Sequence, residues 1–85
     1  MALSSSNFQS ELEYIFKSAV SEGEFWIVVR SGDLHRRLGD YSGPNHRMPI
    51  CCNVMRKNMK PGDEIVEKPP KDNGANLKIS YRLPR

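Results

Sequence analysis

Leu77, Ile79, Tyr81 and Leu83 alternate with Lys78, Ser80 and Arg82 near the end of the chain. Successive side chains of a strand point to opposite faces, so this segment predicts a strand with one dry and one wet side. A single strand gains nothing in water and must find a partner. Glu64 to Lys68 offers one, bounded by Pro61-Gly62, which fits the centre of a type II turn, and by Pro69-Pro70. The two segments are expected to form a hairpin across the polar stretch Pro69 to Asn76, with Lys71, Asp72, Asn73 and Gly74 at its tip.

Upstream the period changes. Phe8, Leu12, Ile15, Phe16, Ala19 and Val20 fall on one stripe of a helix running from about Asn7 to Ser21. Ser6 and Gln9 fit a capping box at its start, and Gly23 suits its end. Phe25 to Val29, aromatic and β-branched between two glycines, predicts a strand. Ser31 stands as an N-cap ahead of a helix of barely two turns that carries Leu34 and Leu38 and closes at Gly39. Gly43-Pro44-Asn45 is turn chemistry, and Pro49, tolerated only in a first turn, marks the next helix start. That helix is expected to bury Ile50, Cys51, Val54 and Met55. It turns Asn53, Arg56, Lys57 and Lys60 outward.

With 85 residues there is room for one domain, read as residues 7–85 behind a flexible N-terminus at 1–6. The expected core is Phe8, Leu12, Phe16, Trp26, Leu34, Leu38, Ile50, Val54, Ile79 and Tyr81. Trp26, Phe25, Tyr14 and Tyr81 could form a stacking platform for single strands, but Trp26 and Tyr81 are read as core or sheet-face residues. No run of apolar residues is long enough to span a bilayer, and Met1 to Ser10 lacks the basic start and apolar stretch of a secretory signal. A cytoplasmic location is expected.

The succession of helix, strand, short helix, turn, helix, strand, long turn and strand resembles the winged helix-turn-helix superfamily, an α+β fold. The resemblance implies that Gly32 to Leu38 and Pro49 to Met59 form the helix-turn-helix, with the second helix entering a DNA major groove. It makes Glu64 to Leu83 a β-hairpin wing, and Phe25 to Val29 the third strand of a small antiparallel sheet. A narrower likeness lies in Gly43-Pro44-Asn45-His46-Arg47-Met48-Pro49 followed by Cys51-Cys52, with Leu77 to Pro84. This resembles a signature of small bacterial proteins of uncharacterised activity, and implies a bacterial source.

Charge agrees with the position of the proposed reading helix. The net charge is +3, but residues through Ser42 carry four cations against six carboxylates, while residues from Gly43 onward carry nine against four, or +5. The candidate DNA-binding residues are Arg47, Asn53, Arg56, Lys57, Lys60 and Lys71. Arg and Lys can reach phosphates, and Arg can pair bidentately with guanine. Lys68, Lys78 and Arg82 add cations to the wing. A solvated helix surface would display the same residues, and charges on a two-stranded ribbon also guard against edge-to-edge aggregation. His46 is read as bracing the turn. The expected partner is double-stranded DNA; the alternative is an adaptor whose basic surface meets an acidic protein.

Catalysis is not expected. His35, His46, Cys51 and Cys52 are the only His and Cys residues, and adjacent cysteines on a helix point about 100° apart, which disfavours a shared metal. Both thiols are read as reduced and packed in or beside the core. No glycine-rich phosphate loop follows a strand, no carboxylate pair is framed for acid-base work, and no cofactor is implied.

Overall fold

A computed structural model describes residues 4–39, 47–69 and 74–85. Helix α1 spans Ser5–Ser21, strand β1 Trp26–Arg30, α2 Ser31–Leu38, α3 Met48–Lys57, β2 Glu64–Glu67 and β3 Lys78–Arg82. The described residues thus form an α+β fold of three helices and one antiparallel sheet in the order β1-β3-β2. The last strand in sequence is the central one. Its alternation explains why: Ile79 and Tyr81 are fully buried against the helices, and Leu77 and Leu83 continue the buried row at its ends.

Helix α1 begins two residues before the position expected from the sequence. Asn7, rather than Gln9, closes the first turn, its side-chain carbonyl accepting from the Ser4 N–H at 2.9 Å. Gln9 is used elsewhere: its amide exchanges two hydrogen bonds with that of Asn58, at 3.0 and 2.7 Å, and so ties α1 to the end of α3. Phe8, Leu12, Phe16 and Ala19 form the buried stripe.

Strand β1 runs into α2 without a loop. Ser31 is therefore the first residue of the helix and not its cap; it is buried, and its hydroxyl donates to the Gly74 carbonyl at 2.8 Å. Leu34 is fully buried and Leu38 partly so, which keeps the short helix on the core. Ile50 is also only half-buried, because α3 turns Cys51, Cys52, Val54 and Met55 inward instead. Trp26 departs furthest from expectation. It lies on the sheet face away from the helices and is 62% exposed, since the helices cover one side of the sheet only.

Gly62 has φ +99°, as the third position of a type II turn requires. A Cβ there would lie 2.7 Å from Cδ of Arg82, so the turn also needs the absence of a side chain.

Candidate functional site

Helix α3 is held at three points. At its start the Arg47 N–H donates to Nε2 of His35 at 2.8 Å, while Nδ1 of the same ring lies 3.1 Å from the Gly39 carbonyl. Accepting at Nε2 leaves the ring proton on Nδ1, so the neutral imidazole links the end of α2 to the start of α3. His35 is fully buried and meets the Phe8 ring edge-on at 5.2 Å. In mid-helix the Cys51 and Cys52 thiols reach the carbonyls of Ser31 and Gly74 at 3.5 and 3.4 Å. Burial pushes the Cys51 thiol up to about 12, with the neighbouring Cys52 adding to the effect, and burial likewise raises Cys52. Both are protonated packing residues. In the last turn the Tyr81 hydroxyl donates to the Met55 carbonyl at 2.7 Å, satisfying a group whose helical partner is missing because the Met59 N–H turns to Arg56.

The connection from α3 to β2 is fastened by Asp63. Its carboxylate accepts from the backbone N–H groups of Lys60 and Arg82, each at 2.8 Å, and pairs with Arg85 at 2.8 Å. The Arg85 guanidinium also donates to the Asn58 carbonyl and lies 4.9 and 5.0 Å from the ring centres of Phe16 and Tyr81. Burial by itself would raise the Asp63 carboxyl. The hydrogen bonds from Arg85, Arg82 and Lys60, with the Arg85 charge, outweigh it and hold the group below the usual carboxylate range.

With its inner side fixed in this way, α3 presents Asn53 and Lys57 to solvent, and Arg56 is half-buried beside them. Arg56 donates to the Asn53 side-chain carbonyl at 3.4 Å. Asn53 and Lys57 border a shallow groove shared with Ser5 and Gln9 of α1. Arg56 borders another with Ile65, Lys68 and Leu77. The outer strip of α3 therefore lies between the start of α1 and the β2–β3 pair. Among the described residues Lys57 and Lys68 carry no ion pair, whereas Asp33 and Glu11 on the acidic half engage Arg30, Arg36 and Arg37.

Other sequence-predicted residues are placed differently. Lys60 is not on α3: the helix stops at Lys57 because Asn58 turns its side chain back to the Val54 carbonyl at 2.8 Å, and Lys60 follows in the connection, in a groove with Glu13 and Lys17. Lys78 and Arg82 share the outer sheet face with Ser80, away from α3, and Lys78 pairs with Glu67 at 3.3 Å. Arg47 is the residue before α3, as expected. Lys71 and His46 lie outside the described residues.

Sequence reasoning passed over Asp63 and Arg85, read Gln9 as part of the α1 cap and weighed His35 only as a metal ligand. His35 falls beside Leu34 on the inner side of α2, which is a usable signal; the other three act through contacts distant in sequence.

Among the described residues no three His, Cys, Asp or Glu side chains are grouped to hold a metal ion, and no helix is long and apolar enough to cross a membrane. Comparison of the chain with protein families, with curated proteins and with solved structures gives no match in any of the three.

Proposed function

We propose that the chain is a winged-helix domain that binds double-stranded DNA without catalysing a reaction, with α2 and α3 as the helix-turn-helix and the β2–β3 pair as the wing. The observation that carries this reading is the exposed strip of α3, where Asn53, Arg56 and Lys57 lie side by side and Lys68 stands across the groove from Arg56. Lys57 and Lys68 would neutralise phosphates on either side of the helix. Asn53 and Arg56 have the groups that read adenine and guanine edges in a major groove. Arg47 would add a cation at the helix start. Glu64 of β2, which has no ion pair among the described residues, lines a depression with Trp26 and Ser80 on the opposite sheet face, so it does not oppose this strip.

The same cations would suit an acidic protein, and competition separates the two readings. Fluorescence anisotropy of a labelled random-sequence duplex should rise on adding the protein. Unlabelled duplex should reverse the signal far more effectively than an equal charge concentration of poly-glutamate. No rise, or equal competition by the acidic peptide, would discard the DNA reading in favour of the adaptor.

A further inference from the structure

β1 is an edge strand, and no described strand lies along its other side. The Phe25 carbonyl accepts from the Leu83 N–H, and the Ser31 N–H donates to the Leu77 carbonyl, both at 2.8 Å. With the register Ile27↔Tyr81 and Val29↔Ile79, these bonds make the odd-numbered residues the ones whose backbone faces β3. Trp26, Val28 and Arg30 therefore turn their N–H and C=O groups to the open edge. At the two ends of that edge some groups are already used. The Glu24 N–H donates to the Ala19 carbonyl at 3.0 Å, and the Arg30 carbonyl takes the first hydrogen bond of α2.

We propose that this edge is a self-association site, at which two copies pair their β1 strands antiparallel about a twofold axis through Ile27. In this register Trp26 of one copy faces Val28 of the other, and each pair exchanges two backbone hydrogen bonds. Moving the axis to Val28 sets the occupied Arg30 carbonyl against the Trp26 N–H, and moving it to Trp26 leaves Val28 opposite Glu24, where the chain has bent away toward α1. Side chains agree with the backbone. Trp26 and Val28, both exposed, become opposite neighbours on the outer face. The edge carries no inward charge, bulge or proline of the kind that usually blocks such pairing. The two sheets would join into one of six strands, an isologous contact closed by its own symmetry.

Sedimentation velocity of the full chain, without nucleic acid and across about a hundredfold range of concentration, should show a monomer-dimer equilibrium. Val28→Lys, with its fold checked by circular dichroism, should weaken the dimer by at least about tenfold, because a charge is set against Trp26 of the other copy. Ile27→Cys should cross-link under oxidised glutathione, since the non-hydrogen-bonded pair on the axis brings the two Cα atoms to about 4.5 Å, within disulfide reach. Ser80→Cys, on the central strand, should not. Wild-type protein that stays monomeric over the whole range overturns the proposal without reference to any variant. So does a dimer indifferent to Val28→Lys, or one that cross-links as readily through Ser80→Cys.

Discussion

β1 and β3 are neighbours in one sheet, and both set alternate residues against the helices, yet their outer faces have opposite character. β3 shows solvent Lys78, Ser80 and Arg82, while β1 shows it Trp26 and Val28. β3 is paired on both sides and fastened by polar contacts besides: Tyr81 bonds to α3, and the Arg82 N–H bonds to Asp63. Among the described residues β1 is paired on one side. An apolar run in a small sheet therefore does not signal burial on both faces when helices cover only one of them. Polarity on the wet face of β3 fixes its orientation, whereas in β1 the covering of the sheet decides it.

Core truncation should distinguish the two strands by the widest margin. Ile79→Ala, at the buried centre of β3, should lower the unfolding free energy by about 2 to 5 kcal/mol, read from urea titration, since the lost methylenes leave a cavity. Next comes the polar fastening of β3. Tyr81→Phe keeps the ring but leaves the Met55 carbonyl without its donor, and should cost about 1 to 3 kcal/mol in the same assay.

Asp63 gives a prediction with a sign. Its carboxyl is held below the usual value in the folded chain, so it contributes stability that is fully present above the unfolded-state pKa of about 3.9 and is lost as pH falls through the lower folded value. The melting temperature of the wild type should fall over that acid range, and Asp63→Asn should flatten that part of the profile while lowering the plateau at neutral pH. A profile unchanged by the substitution would remove Asp63 from the account. The smallest effect is expected on the outer face of β1: in dilute, monomeric protein Trp26→Ser should shift the unfolding free energy by less than about 1 kcal/mol. A loss comparable with that of Ile79→Ala would erase the distinction between the two faces.

The same contrast explains what was legible in the sequence. All six elements could be read from it, because the stripe of α1, the alternation of β3 and the punctuation by Gly23, Pro49 and Pro61-Gly62 are local signals. Trp26 could not be placed, since its burial depends on which side the helices take. The ends of the helices moved for a related reason: Ser31 and Asn58 spend their polar groups on Gly74, Gln9 and Val54, choices set by tertiary neighbours. For the candidate site, the outward phase of Asn53, Arg56 and Lys57 followed from the apolar stripe behind them. The displacement of Lys60 from the helix, and the pairing of Lys78 with Glu67, depended on the cap and on the strand register.

If the outer strip of α3 and the cation beside it meet phosphates, as proposed, duplex binding will depend on salt. The logarithm of the association constant should fall linearly with the logarithm of salt concentration. Lys57→Ala and Lys68→Ala should each reduce the slope by about one, because each neutralised phosphate releases about 0.9 counterions. Wild-type binding that cannot be detected at low salt, or a slope that neither substitution changes, would contradict the account.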